Sequence, residues 1–404
     1  MKNLRVTNFG QIKEADINFG DLTLFVGPQA TGKSILLQLL KLLLDRRKIL
    51  LNLHEYGYEL YDLLSSLSNF LELYFGEGMN NIWGARTEVY LDEQITDLEN
   101  LINIAKIISE LRQNSILLYE CLFMIPAQRV ITLENGWPRP FLSFEIGDPY
   151  VVRNFSEQLR IIMQQKDYLI STKGKIFPNA RNLTEDINYE INKSIFHGAS
   201  VVLKTAGMRN KIYIELEGNA LPFMAWSAGQ REFMPLLLSF YWLTYIQKQN
   251  NDNEVLKLKK SLEFVVIEEP EMGLHPQAIL SVVLMCLELL NQGYKLIIST
   301  HSPVLLEAVW AIRFLQRENS DVKFLHQLFN LEPSESMTEL FENILQNKTF
   351  LTYYFDQQND GVHVKDISSL DPGDLDTAIA EWGGLTSFSS RASEVVSQAA
   401  QEKL

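Results

Sequence analysis

Polar and apolar positions alternate along LRVTNF (4–9) and KEADINF (13–19), then give way to an unbroken apolar run, LTLFVG (22–27). Alternation marks a half-buried strand and a continuous run a buried one, so residues 3–26 predict strands and turns, the last strand lying inside a sheet. From 33 to 44 the period becomes helical. It stays helix-like to about Asn114, with polar breaks near GEGMNN (76–81) and DEQITD (92–97). ILLYECLFMIPAQR (116–129) returns to strand character, an irregular Gly/Pro-rich stretch runs to Pro149, and 150–198 reads as mostly helical. ASVVLKT and KIYIELEG make a hairpin over 199–218, and a helix follows from about Gly229 to Gln249, ending in the polar loop QKQNNDNE (247–254). LEFVVIEE (262–269) and YKLIISTH (294–301), with a helical stretch at 277–291 between them, suit parallel strands joined by a crossover helix. Asp360-Gly361 predicts a hairpin turn near the C-terminal end.

The buried strand ends in GPQATGKS, which satisfies G-x-x-x-x-G-K-[ST] and opens the first helix. Gly27, Pro28, Gln29, Ala30, Thr31, Gly32, Lys33 and Ser34 thus form a phosphate-binding loop. Its glycines let the backbone wrap an anion, consecutive N–H groups and the helix N-terminus supply positive potential, Lys33 reaches terminal phosphates, and Ser34 can ligate Mg2+. A second motif, FVVIEEPEMGLHP (264–276), delivers two acids at the carboxyl end of an apolar strand, where open α/β sheets bind ligands. Glu268 is placed near the Mg2+ shell and Glu269 as acceptor of a proton from the attacking water. A solvated acidic turn is the plainer alternative for this pair.

Composition narrows the class. An apolar share of 46% and a charged share of 21% disfavour a disordered or coiled-coil chain, and 404 residues suffice for a sizeable core. The net charge of −14 repels a phosphate backbone, so direct nucleic-acid binding is not expected. Cys121 and Cys286 have no ligand spacing around them and read as buried thiols, and His54, His197, His326 and His363 as structural or surface residues. Lys13 reads as a solvated strand residue, with reach to a phosphate as the other possibility. The start lacks a signal-peptide pattern, and the longest apolar stretch, 35–44, contains Gln38 and Lys41. A cytoplasmic protein without a membrane partner is expected.

A third motif, WSAGQRE (226–232), resembles the signature loop of ABC-type ATPases, with Trp226 and Ala228 as departures. The motif order fits that family: the phosphate loop, then Gln128 in IPAQR resembling the Q-loop, the signature, the two-acid strand with MGLHP, and His301 in STHSP resembling the switch histidine. The resemblance implies an α/β fold of the P-loop NTPase class: an ABC-type ATPase head, whose mixed sheet has N-terminal antiparallel strands, with helical insertions. It implies ATP and Mg2+ as cofactors, Gln128 as a further metal contact, and His301 as a catalytic residue with Lys33 and Glu269. It also implies that Ser227, Gly229 and Gln230 cap the γ-phosphate held by a neighbouring copy. A signature loop at a helix N-terminus is a second anion site, and one ATP cannot use both ends of one protomer, so a head-to-tail dimer or higher oligomer is expected. The Ala228 methyl is expected to restrict approach to the phosphate.

On this reading 1–44 carries the phosphate loop, 45–114 is a helical insertion, and 115–149 carries Gln128. Residues 150–198 form a helical segment, 199–355 carries the signature, the acids and His301, and 356–404 is an acidic segment. The last holds nine acids against three bases within 355–404 and reads as a solvated tail or a docking feature. LRVTNFGQI, IPAQR, IEEPEMGLHP, STHSP, YYFDQQNDGVHVKDIS and EWGG resemble, across most of the chain, the short AAA15/AAA21 ATPases of bacterial antiphage systems, the PARIS-type subunits above all. That family implies a multimeric scaffold that senses a phage trigger protein and holds, then releases, a separate TOPRIM-type toxin nuclease, with no nuclease site of its own. A DNA-repair ATPase of the SMC type acting on DNA ends is the alternative, and a transporter ATPase ranks third.

Overall fold

The computed structural model describes residues 1–59, 66–96, 119–165, 169–170, 175–206, 209–249 and 253–401. Strands β1 (Asn3–Phe9), β2 (Ile12–Asn18) and β3 (Leu22–Val26) lead into helix α1 (Lys33–Glu55). Helix α2 (Leu67–Phe75), strands β4 (Trp83–Leu91), β5 (Gln94–Ile95) and β6 (Leu122–Ile125), and a short hairpin of β7 (Leu133–Glu134) with β8 (Trp137–Pro138) precede α3 (Tyr150–Gln164). Next come β9 (Lys175–Phe177), α4 (Glu185–Ile191), β10 (Ser200–Ala206), β11 (Arg209–Leu216), β12 (Asn219–Pro222), α5 (Ala228–Lys248) and α6 (Asn253–Ser261). The chain continues through β13 (Phe264–Glu268), α7 (Pro276–Asn291), β14 (Lys295–Ser299), α8 (Pro303–Arg317), α9 (Lys323–Phe329) and α10 (Glu335–Asn347). It closes with β15 (Phe350–Gln358), β16 (Gly361–Asp366), α11 (Thr377–Ala380) and α12 (Ser387–Gln401).

Ten strands form one mixed sheet in the order β5-β4-β1-β2-β16-β15-β3-β14-β13-β6. Strands β15, β3, β14, β13 and β6 run parallel, while β1, β2, β4 and β5 pair antiparallel at the other edge. The fold is therefore α/β with a large mixed sheet whose N-terminal strands are antiparallel. The sheet separates two apolar cores because strand residues alternate between its faces. Leu24, Val26, Val265, Ile267 and Ile125 pack with the helices α5, α7 and α8 on one face. Phe25, Val266, Met124 and Ile297 pack with α1 and α2 on the other. Burial on both faces is why β3 and β13 read as unbroken apolar runs.

Helix α1 runs on from the phosphate loop into the segment expected to stay helix-like, as far as Glu55, across a kink at Asp45 (φ −116°, ψ 16°). The kink has a polar cause. Lys41 Nζ donates to Asp45 Oδ2 at 2.7 Å and to Leu122 O at 2.6 Å, and lies 3.2 Å from Glu120 Oε2. Asp45 in turn accepts from the Cys121 and Leu122 amides. A buried cation and its acids thus fasten the phosphate-loop helix to the strand that leads to Gln128, which explains a lysine in the longest apolar run.

Three sequence expectations are corrected. Residues 83–91 were expected to be helix-like, but form β4, which turns within the expected polar break at 92–97 to pair with β5 as a hairpin at the sheet edge. Only Val89 of β4 is fully buried, so the apolar period that announces a strand is absent. Residues 175–177, expected within a helical segment, pair as β9 with β10, extending the expected 199–218 hairpin to a four-stranded sheet β12-β11-β10-β9. The C-terminal turn is centred on Asn359 and Asp360, since Gln358 pairs with Gly361. Gly361 instead opens β16 at φ 137°, where an added Cβ would meet Gln11 O and Lys13 Cβ at 3.1 Å. Residues 356–366 thus lie within the sheet, β16 sitting between β2 and β15, and Trp382 is buried beyond it. Much of the expected 45–114 insertion, residues 60–65 and 97–114, lies outside the described residues, as does the start of the 116–129 strand.

Candidate nucleotide site

Strand β3 ends at Val26 and α1 begins at Lys33, so the phosphate loop spans the gap at the carboxyl edge of the parallel strands. Two of its glycines are required by geometry. Gly27 has φ 142° and an added Cβ would lie 2.7 Å from Phe355 O; Gly32 caps α1 at φ 91° with Ile12 and Gln11 at 3.1–3.2 Å. No side chain caps the α1 N-terminus, leaving its first amides open to an anion. Lys33 is buried and folds back onto its own loop, donating to Gly27 O and Pro28 O at 2.8 Å each. Burial lowers its pKa to about 8, against the opposing pull of Glu269 and Glu271.

A cavity of about 270 Å³ opens over this loop, lined by Gln29, Ala30, Thr31, Gly32, Lys33, Ser34 and Ile35, and by Gln11, Glu269 and His301 from other elements. Sequence reading missed Gln11, which donates to Ala30 O at 3.1 Å from the β1–β2 turn. Lys13, two residues on, donates instead to Asn8 Oδ1. The two acids sit in different surroundings. Glu268 is buried, held by the Ala127 amide at 3.1 Å and by the Ser34 hydroxyl, and burial still raises its pKa. Its Oε1 has no hydrogen-bond partner among the described residues. A buried carboxylate with an oxygen to spare, bonded to the phosphate-loop serine, fits a hard divalent cation.

Glu269 leaves the strand in the left-handed region (φ 43°), its amide bonded to Ser299 O at 2.8 Å. Its carboxylate lies 3.6 Å from His301 Nε2 at the cavity wall. Burial and the nearby Lys33 hold the His301 pKa below its ordinary value, so the ring is neutral near pH 7 and offers one donor and one acceptor. The His301 backbone is fixed by Glu271, which accepts from its amide at 2.6 Å and from Thr300 Oγ1 at 2.8 Å. Glu271 was not singled out by sequence, although PEMG follows the two acids directly.

The remaining candidates lie elsewhere. Gln128 is exposed at the start of a 3-10 turn, and its side chain does not line the cavity. Ser227, Gly229 and Gln230 sit at the N-terminus of α5, also outside the cavity. Ser227 Oγ accepts from the Gln230 amide at 3.3 Å while Gln230 Oε1 accepts from the Ser227 amide at 3.2 Å, a capping box. Gln230 Nε2 also donates to Ile195 O, so that side chain is engaged at both ends. Exposed Ser227 keeps its O–H free to donate. Gly229 packs so closely on the turn after the acids that a Cβ would lie 2.6 Å from Gly273 O. Ala228 is exposed, so of the two positions the one that must stay glycine is Gly229.

The AAA ATPase domain model (AAA_15) matches residues 1–197 and 153–306, from the first strand through His301. The chain belongs to the AAA ATPase domain family. Over 87 residues this AAA ATPase is 39% identical to the Old nuclease of Escherichia phage P2; the stretch is 22% of this chain and only 14% of that protein. Among solved structures it is similar to the SmcHead bound to the C-winged helix domain of ScpA, at 12% identity with TM-score 0.43, covering 94% of this chain and 98% of the other. It is also similar to the SMC head domain from Thermotoga maritima, at 13% identity with TM-score 0.38, covering 90% and 98%. ATPase chemistry in general follows from the family. No helix among the described residues is long and apolar enough to cross a membrane.

Proposed function

We propose that this AAA ATPase hydrolyses ATP at sites shared between copies of itself, and works as the nucleotide-driven scaffold of a bacterial antiphage system of the PARIS type. The observation that carries the reading is the split between two anion-facing helix ends. The α1 end is uncapped and opens on the cavity with Lys33, Glu269 and His301, whereas the α5 end with Ser227 is exposed and outside it. Bound there, Mg2+ would be held by Ser34 and Glu268 and would neutralise charge on the phosphates.

The chain's own groups supply the rest. Lys33 exchanges the Gly27 and Pro28 carbonyls for phosphate oxygens, whose negative charge favours the ammonium form against the burial that lowers its pKa. Glu269 takes the proton of the attacking water, and His301, 3.6 Å away, holds that carboxylate and meets the terminal phosphate. Ser227 O–H and the first amides of α5 from a second copy close the site. In this scheme the complex holds a separate toxin nuclease, of the TOPRIM type, and lets it go when a phage protein is sensed. The acidic balance of 355–404 supports a protein partner over nucleic acid, and the setting is cytoplasmic.

Co-expression with the product of the adjacent gene, followed by size exclusion with and without ATP, tests the scaffold role. A co-eluting complex that dissociates on adding the phage trigger is expected, and a chain that always elutes alone refutes it. DNA-stimulated hydrolysis with a steep salt dependence would favour the repair-ATPase alternative instead.

A further inference from the structure

Arg129, directly after Gln128, was not singled out in the sequence. It is fully buried, among the largest side chains of the interior. Its three nitrogens face three parts of the site. Nη1 donates to Glu268 O at 2.8 Å, Nη2 to Glu269 O at 2.9 Å, and Nε to Glu232 O at 3.1 Å on the helix that the signature loop opens. The Glu232 carboxylate lies 3.9 Å from Nε, and its buried Oε2 has no hydrogen-bond partner among the described residues.

We infer that Arg129 is the positioning residue that fixes the Glu269 backbone and ties its setting to the signature helix α5. Resting on the hydrolysis reading above, the argument is geometric. Glu269 occupies a backbone region that a side chain rarely adopts, and such a conformation persists only where neighbours over-determine it. Two of those neighbours are the Ser299 carbonyl, which accepts from the Glu269 amide, and the Arg129 fork, which donates to the consecutive carbonyls of Glu268 and Glu269. The same rigid, planar guanidinium grips α5, so a shift of that helix moves the fork and with it the carboxylate that faces His301. Gly229 packed on Gly273 is a second contact between α5 and the loop after the acids. Through this link, engagement of the signature loop by a second copy reaches the hydrolytic carboxylate of the first.

Only a fork with three donors in one plane can serve all three carbonyls, which separates positioning from charge. The full chain is prepared as wild type, R129K and R129M, with thermal melting to verify folding, a fluorescent ATP analogue to measure affinity, and steady-state hydrolysis for kcat and KM. Both variants are expected to keep nucleotide affinity within about threefold while kcat falls at least tenfold, with R129K no better than threefold above R129M. Wild-type kcat in R129K would overturn the inference, because charge alone would then suffice. Equal loss of affinity and kcat would also overturn it, reducing Arg129 to general support of the fold. If neither variant folds, E232A decides, since it removes only the carboxylate on the α5 side: a kcat lowered at least threefold with unchanged affinity supports the link, and unchanged kcat refutes it. A wild-type chain that hydrolyses no ATP would instead sink the functional reading on which the inference stands.

Discussion

The helices α1 and α5, which follow the phosphate loop and the signature-like turn, differ in how their first amides are served. At α1 the cap is Gly32, no side chain closes the turn, and the space above is a cavity with a lysine, a glutamate and a histidine around it. At α5 the cap is Ser227, the turn is closed by its own capping box, and Ser227 and Ala228 are exposed. The first end leaves its opening amides without a side-chain partner, whereas the second is closed by its own side chains and offers the Ser227 hydroxyl. On the proposed function, this contrast makes the α1 end the nucleotide-binding half of a site and the α5 end the half that closes over a nucleotide held by another copy.

Substitutions can break the comparison at either end. Lys33→Ala should have the largest effect, abolishing detectable hydrolysis and lowering ATP affinity at least a hundredfold in a fluorescent-analogue titration, because Lys33 is the lysine that lines the cavity over the loop and on the proposed function meets the phosphates. Glu269→Gln should cut kcat at least a hundredfold while ATP stays bound, seen as nucleotide retained through a desalting column; a rate close to wild type would remove Glu269 as the base. Ser227→Arg should leave analogue binding at the α1 end within about threefold of wild type yet lower kcat at least tenfold, since its own cavity is untouched. Gly229→Ala sharpens the comparison on the stability side. Its Cβ would lie 2.6 Å from a backbone oxygen, so a loss of about 1–3 kcal/mol is expected by thermal melting, whereas Ala228→Gly, at an exposed position, should move stability by less.

The two ends were also unequally legible in the sequence. The phosphate loop announced itself because strand, glycines, lysine and helix are contiguous, and the two acids follow a strand buried on both faces. Gln11, Glu271 and Arg129 were not legible: each reaches the site from a turn or strand end through contacts that spacing does not encode. The same holds for the sheet. Its parallel interior is written in unbroken apolar runs, but β4 buries so little that it carries no period, and β9 is three residues long. Gln230 was read as a phosphate ligand because of its motif; the capping box gives that amide its work within the fold.

The claim that one working site is built from two copies is tested most directly by mixing defects. Lys33→Ala spoils the α1 end and leaves α5 intact, while Ser227→Arg does the reverse, and each alone should be inactive or nearly so. Co-expressed and purified as a mixed assembly, the pair forms one composite site from two sound halves. Hydrolysis restored to a substantial fraction of the wild-type rate per complex is the predicted result. A mixture as inactive as its components, or a Ser227→Arg chain at full activity on its own, would contradict it.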